Sequence, residues 1–131
     1  RRRVAAGEFA VGIADTDDAN VARIEGKPVG VTYPDAEGMG TLIIPNCAVL
    51  IKNGPNPDAG QSFIDYLLKA ETETALAESE AAQMPLRPDV PIPENVTPLE
   101  SLMPMPVDYG KLAGLLETLS QGYLKEWVDG Q

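Results

Sequence analysis

Proline placement limits the regular structure that this chain of 131 residues can form. Between residues 84 and 106 the chain contains seven prolines: Pro85, Pro88, Pro91, Pro93, Pro98, Pro104 and Pro106. Each proline lacks a backbone N–H and has a fixed φ angle, so it interrupts both helices and central strands. We therefore expect residues 84–106, which we call the proline strap, to cross a surface without any long regular element.

Helical patterns lie on both sides of the proline strap. Before it, Asn56 and Pro57 match an N-cap followed by proline at the first helical position. The helix that starts there has one apolar stripe, and a second helical piece is expected over residues 73–82. After the strap, Asp108 can cap a terminal helix whose apolar residues recur at helical spacing: Leu112, Leu115, Leu116, Leu119, Tyr123 and Trp127. This stripe predicts a helix face that packs against another part of the protein.

Four short apolar runs predict β-strands. They cover residues 9–14, 29–33, 41–44 and 47–51, and they are rich in β-branched side chains. Pro45 removes a ladder donor between the last two runs, so these form either two strands or one bent strand. Strands this apolar need helices on both faces of their sheet, and only about four helices are predicted. We therefore expect either an exposed apolar patch or self-association of the chain that covers it.

Charge and composition exclude several classes of function. The 20 acidic residues outnumber the 10 basic ones, and the formal charge of −10 argues against nucleic acid and anionic membranes as partners. The chain contains no histidine, so it cannot build a Ser-His-Asp or Cys-His nucleophile. Its single cysteine, Cys47, cannot form an intramolecular disulfide. The first residues lack the apolar run of a signal peptide, and a start in helix-like sequence without methionine suggests a piece of a longer protein.

Acidic side chains are concentrated at one turn. Asp15, Asp17 and Asp18 directly follow the first apolar run, and a helix over residues 19–24, closed by Gly26, is expected after them. In one interpretation, carboxylates such as those of Asp15 or Asp18 cap the start of this helix. In the other, the carboxylate oxygens bind a hard cation. The sequence leaves both interpretations open.

The same turn is the predicted binding site. In an open α/β sheet, ligands bind beyond the carboxyl ends of the strands, and this turn follows such an end. Asp17 is predicted to contact the ligand or metal directly, and Thr16 and Asn20 are predicted to offer neutral hydrogen bonds. Further along the chain, Gly38 and Gly40 form a candidate hinge, although glycine pairs also mark ordinary turns.

Four segments in this order resemble the C-terminal part of bacterial extracellular solute-binding proteins. They are residues 4–13 (VAAGEFAVGI), 40–46 (GTLIIPN), 59–68 (AGQSFIDYLL) and 85–90 (PLRPDV). The subgroup that they resemble most is the iron(III)-type substrate-binding components of ABC transporters. The resemblance implies an α/β protein with the periplasmic-binding-protein-like (type II) fold, of which this chain is the C-terminal fragment.

The resemblance also implies how the chain is divided between the two lobes of that fold. Residues 1–38 would be part of the second lobe and carry the ligand-side turn. Residues 39–95 would return to the first lobe as strands and helices, and residues 96–131 would cross back as a C-terminal helix. A small solute would bind in the cleft between the lobes.

The implied function is transport rather than catalysis. The chain would belong to the substrate-binding component of an ABC importer, which captures ferric iron or another small solute and delivers it to a membrane permease. Its location would be periplasmic or extracellular, with or without a lipid anchor. In ferric-binding relatives two adjacent tyrosines bind the metal, whereas this chain has Thr16 and Asp17 at those positions, so tyrosinate ligation of a ferric ion does not carry over.

Two functions of other classes remain open. The first is a metal-dependent enzyme that uses the cluster from Asp15 to Asp18, which is disfavoured because no general base or glycine-rich phosphate loop accompanies the cluster. The second is an interaction module that binds its partner through the terminal helix. Ligand-dependent thermal stabilisation without turnover distinguishes a binding protein from both.

Overall fold

Six α-helices and one 3₁₀ turn make up the regular structure of residues 2–130, the part of the chain that the computed structural model describes. In chain order the helices are α1 (Arg2–Ala5), α2 (Thr16–Ile24), α3 (Pro57–Leu67), α4 (Ala70–Glu78), α5 (Tyr109–Gln121) and α6 (Tyr123–Asp129). The 3₁₀ turn, Leu99–Ser101, lies inside the proline strap. The remainder of the strap is irregular, as its proline content predicts.

The prediction of an α/β fold is wrong. Residues 2–130 contain no β-sheet, and their single β contact is an isolated parallel bridge between Thr41 and Pro104. An apolar, β-branched run favours an extended backbone, but a strand forms only where a second segment offers its N–H and C=O groups alongside. Within residues 2–130 the predicted strand segments 9–14, 29–33 and 47–51 have no such partner, and in segment 41–44 only Thr41 pairs, through its bridge to the strap. The structure therefore does not fit a C-terminal fragment of the type II periplasmic-binding-protein fold.

The ends of α3 and α5 follow local sequence signals. Pro57 is the first residue of α3, and Asn56 occupies its N-cap position as predicted. At the start of α5, the Asp108 carboxylate accepts a hydrogen bond of 2.9 Å from the Lys111 amide, which confirms the predicted cap. The predicted terminal helix is divided into α5 and α6 at Gly122, where the backbone leaves the helical region with φ −99° and ψ −99°.

Two helices start earlier than predicted. α2 begins at Thr16 instead of residue 19, and α4 begins at Ala70 instead of residue 73. Both first turns contain acidic residues, which the positive end of a helix dipole stabilises, so the polar turn becomes part of the helix. α2 ends shortly before Gly26, whose φ of +70° is the left-handed conformation of a helix-terminating glycine.

The buried core is small and joins α2, α4 and the proline strap. Its apolar members are at most 5% exposed: Ala22, Ala77, Ala82, Val90 and Val96. Two of these, Val90 and Val96, belong to the strap, whereas α3, α5 and α6 contain no buried residue. The strap is therefore part of the core and not only a cover over it.

A carboxylate in α4 holds the first part of the proline strap. Glu73 accepts hydrogen bonds from the backbone amides of Leu86 and Arg87, the second at 3.2 Å. The Arg87 guanidinium then donates two hydrogen bonds of 3.0 Å to Asp89, and this pair lowers the pKa of the Asp89 carboxyl below its ordinary value. Because the seven prolines of the strap have no amide N–H, hydrogen bonds to its other amides help to fix its course.

The last part of the strap is held by the segment that contains the second glycine of the candidate hinge. The Thr41 amide donates to the Met103 carbonyl at 2.7 Å, and the Met105 amide donates to the Thr41 carbonyl at 2.8 Å. Gly40 is buried with φ +87°, and a Cβ there would lie 2.7 Å from the Met103 carbonyl oxygen. Glycine is therefore required at residue 40 for close approach of the two backbones.

The apolar stripe of the terminal helix is exposed. Leu116 is 63% exposed and Trp127 is 60% exposed, and α5 packs against α6. The expectation that this stripe packs against another part of the protein is wrong within residues 2–130, because periodicity shows that a helix is amphipathic but not which surface covers it. Apolar side chains of the predicted strand segments are also exposed, including Val49 at 80%.

None of the described helices is long and apolar enough to cross a membrane.

The small core predicts a contrast between two valines. Val96→Ala should destabilise the protein by about 2 kcal/mol, because it removes two buried methyl groups and leaves a cavity. Val49→Ala removes the same groups from a side chain that is 80% exposed, and it should change stability by less than about 0.5 kcal/mol. Urea unfolding of both variants measures the difference, and equal effects would contradict this description of the core.

The contact between Glu73 and the strap predicts a second contrast. Glu73→Ala should lower the free energy of unfolding by about 1–3 kcal/mol, because two strap amides lose their acceptor. Glu78→Ala, at the exposed end of the same helix, is the matched control and should have a much smaller effect. Hydrogen exchange should also become faster at the Leu86 and Arg87 amides in Glu73→Ala only, and unchanged exchange there would contradict the contact.

Candidate functional site

A cleft of about 50 Å³ lies where α2, residues 31–33 and the proline strap meet. Six polar side chains line it: Thr16, Asn20, Arg23, Tyr33, Asn95 and Thr97. Four apolar side chains complete the lining: Val31, Ala82, Met84 and Val96. Such a volume holds a few water-sized molecules or one small chemical group, and it is well below the roughly 300 Å³ at which pockets for whole ligands begin.

One face of α2 supplies three of the polar groups. Thr16, Asn20 and Arg23 are separated by four and three residues, so they lie above one another along the helix. Ala22 of the same helix is buried in the core, and Asn20 connects α2 to the strap through Asn95. The sequence of α2 therefore places a hydroxyl, an amide and a guanidinium along the same wall of the cleft.

Asn20 is buried and hydrogen-bonded at both ends of its side-chain amide. It is 6% exposed, and its Nδ2 donates to the Glu80 carbonyl oxygen at 3.0 Å. Its Oδ1 accepts a hydrogen bond of 3.3 Å from Nδ2 of Asn95 in the strap. The two ends of one buried amide therefore connect α2, the turn after α4 and the strap.

Among residues 2–130, Arg23 is the single charged side chain in the lining of the cleft. Within residues 2–130 no carboxylate lies within 4.0 Å of its guanidinium. Two other arginines are paired: Arg3 lies 2.7 Å from Glu8, and Arg87 lies 3.0 Å from Asp89. The cleft therefore combines one positive charge with neutral polar groups and contains no carboxylate.

The acidic residues of the predicted site lie at the start of α2 but outside the lining of the cleft. Asp15 occupies the N-cap position, and its side chain makes no cap hydrogen bond. It instead hydrogen-bonds the Asp17 carboxyl, which raises the pKa of Asp17, while the Asp18 amide, 2.9 Å from Oδ1 of Asp17, opposes this shift. Sharing of a proton between the two carboxyl groups stabilises the protonated form of Asp17 relative to its ionised form, which is the direction of the pKa shift.

The predicted site residues are therefore separated into two groups. Thr16 and Asn20 line the cleft, whereas Asp15, Asp17 and Asp18 do not. In the part of the chain that is described, no three His, Cys, Asp or Glu side chains converge where they could hold a metal ion. Direct contact of Asp17 with a ligand or metal remains a prediction.

The candidate hinge residues form a turn. The amides of Gly38 and Gly40 both donate to the Asp35 carbonyl oxygen at 3.0 Å. Gly38 is exposed, whereas Gly40 is buried against the strap. A hinge role for the pair remains a prediction.

Sequence reasoning missed Arg23, Asn95 and Thr97 as lining residues. Arg23 could have been found, because its spacing from Thr16 and Asn20 places all three on one helix face. Asn95 and Thr97 lie in the irregular strap, where no periodicity indicates which side chains face α2.

A second depression, of about 550 Å³, lies at the junction of α3 and α4. Tyr66, Lys69, Glu71 and Thr72 line it, and the Lys69 ammonium lies 5.9 Å from the centre of the Tyr66 ring. All of its lining side chains are exposed or half-buried. It has no buried polar group that could orient a ligand, so we consider the cleft beside α2 the better candidate.

Comparison with known protein families shows to which family the chain belongs. The family model described as bacterial extracellular solute-binding protein matches residues 2–103, which is most of the chain. The chain belongs to this family. The match covers α1 to α4, nearly all of the proline strap and the whole cleft, and it ends before α5. No curated protein and no solved structure gives a significant match.

Membership of this family confirms the resemblance to solute-binding proteins, without specifying the iron(III) type. It places the chain among the substrate-binding proteins of ABC transporters, which have a small-solute ligand and a transporter permease as partner. The family is generally non-enzymatic, and its members have a periplasmic or extracellular location.

The carboxyl pair at the start of α2 predicts a measurable titration. Asp15→Asn should lower the pKa of Asp17 towards its ordinary value, because an amide can donate a hydrogen bond to the ionised carboxylate. Asp18→Asn is the matched control: it keeps the backbone amide that contacts Asp17 and removes only a weaker charge effect. Carboxyl ¹³C NMR across acid pH measures both variants, and an unchanged Asp17 pKa in Asp15→Asn would contradict the hydrogen bond.

The raised pKa of Asp17 determines how its contribution to the free energy of unfolding changes with pH. Sharing a proton stabilises the fold at pH values below the ordinary pKa of an aspartate. This contribution is lost as the pH rises through the raised pKa of Asp17, because the ionised carboxyl no longer has a proton to share with Asp15. The effect should be small, since Asp17 is partly exposed and solvent screens the charges.

Proposed function

We propose that this chain contributes the solute-binding site of an ABC importer and that the solute enters the cleft between α2 and the proline strap. The observation that carries the proposal is the convergence of six polar side chains on a cleft inside the matched region of the family. The cleft is held by the hydrogen bonds of Asn20, so its polar groups are positioned before a ligand arrives.

The lining supports a small solute better than ferric iron. A hard cation prefers carboxylate and other oxygen ligands, and the cleft contains no carboxylate. Arg23 places a positive charge in the lining, which would repel a metal ion. Tyr33 supplies a single phenol there, without the adjacent second tyrosine of ferric-binding relatives.

A delivery step to a membrane permease and a location outside the cytoplasmic membrane complete the proposal, with or without a lipid anchor. Both are supported by the family. The acidic surface implied by the charge of −10 is consistent with the absence of nucleic acid among the proposed partners.

The test is ligand-dependent thermal stabilisation of the 131-residue chain. We would use glucose, glycine, sodium acetate, sodium phosphate and lanthanum chloride as probes, the last as a soluble trivalent cation. A bound probe at about 100 times its dissociation constant stabilises the native state by about 2.7 kcal/mol, which raises the melting temperature measurably. We expect at least one probe to do so without being chemically converted.

Two valine variants connect that stabilisation to the cleft. Val31→Trp places a large ring at the lining and should abolish the stabilisation, whereas Val49→Trp, on an exposed segment outside the cleft, should preserve it. Stabilisation that survives Val31→Trp would move the site elsewhere. Turnover of a probe would favour an enzyme, and the absence of any stabilising probe would contradict the proposed function.

A further inference from the structure

We propose that the cleft binds the carboxylate group of a small organic acid and that Arg23 is its cationic partner. This inference rests on the proposed function, because it names the class of solute that enters the same cleft. It assigns to Arg23 a role in ligand specificity that the family match does not specify.

The charge of the cleft is the first argument. Arg23 has no carboxylate within 4.0 Å among residues 2–130, although the chain contains 20 acidic residues. A guanidinium is always charged and presents a planar set of N–H donors that matches a carboxylate. This exposed arginine has no carboxylate partner and is therefore available for an anionic ligand, and no acidic side chain of residues 2–130 shares the lining with it.

The neutral polar groups are the second argument. Thr16, Tyr33 and Thr97 each bring a hydroxyl that can donate a hydrogen bond to an anion. Each end of the Asn20 amide has one protein partner, Glu80 or Asn95, so this side chain holds α2 in position beside the cleft. The cleft thus offers hydroxyl donors around one guanidinium.

The apolar part of the lining distinguishes an organic acid from an inorganic oxyanion. Val31, Ala82, Met84 and Val96 face the same space as Arg23. Phosphate and sulfate have no apolar part to contact these side chains, whereas the carbon chain of an organic acid does. The volume of about 50 Å³ fits a carboxylate with a short carbon chain, so a larger acid would extend out of the cleft.

The experiment is calorimetric titration of the 131-residue chain with sodium acetate, sodium lactate, sodium phosphate, sodium sulfate, glucose and lanthanum chloride. We expect one or both organic acids to bind. Arg23→Met should weaken that binding by about tenfold to a hundredfold, the loss expected for charged hydrogen bonds, and Arg23→Lys should weaken it less. Arg3→Met removes an arginine that pairs with Glu8 outside the cleft and should bind like the unaltered chain.

Thermal melting without ligand checks that each variant is folded, and Arg23→Gln replaces Arg23→Met if the latter unfolds. Phosphate or sulfate binding that depends on Arg23, without binding of an organic acid, would overturn the assignment to organic acids. Binding of glucose or lanthanum that Val31→Trp abolishes and Arg23→Met leaves unchanged would overturn the inference while preserving the proposed function. If no probe binds, the proposed function fails together with the inference.

Discussion

The hydrogen bonds of Asn20 are the interaction on which the arrangement of the cleft depends. A buried amide without partners would cost about 1–3 kcal/mol, and here both of its ends are used. One end reaches the Glu80 carbonyl after α4, and the other reaches Asn95 in the proline strap. The surrounding core consists of small apolar residues, and this polar connection adds to their burial in setting the position of α2. The position of Arg23, almost one helical turn later, follows from it.

The charged residues of α2 affect both the stability of the helix and the charge of the cleft. Asp17 and Asp18 lie in its first turn and Arg23 in its last, which is the arrangement that the helix dipole favours. Only the guanidinium lies in the lining of the cleft, so the cleft is positive although the chain as a whole is strongly negative. The charge of Arg23 favours an anionic ligand, whereas the net charge of the chain would favour a cationic one. A ligand in the cleft interacts most strongly with Arg23, because solvent and salt screen charges that lie farther away more than nearby ones.

The family match and the observed fold describe the chain at different levels. The match over residues 2–103 shows ancestry and therefore a class of function. The fold of residues 2–130 depends on which partners each segment meets, and the apolar runs at 9–14 and 47–51 meet no second strand. Their side chains remain exposed, as does the stripe of α5 and α6, so large apolar surfaces coexist with a small core.

The sequence by itself identified the family, from four segments spread along the chain. It also determined the irregular course of the proline strap, the start of α3 after Asn56, the cap at Asp108 and the helical periodicity of α3 and α5, because each of these depends on residues close together in the chain. It also singled out Thr16 and Asn20, which line the cleft. Only the tertiary structure decided that the apolar runs form no sheet, that the acidic turn stands outside the cleft, and that the strap brings Asn95 to α2. The physical reason is that strand pairing, burial and the meeting of distant side chains depend on what another segment supplies, and a pattern within one segment carries no record of that partner.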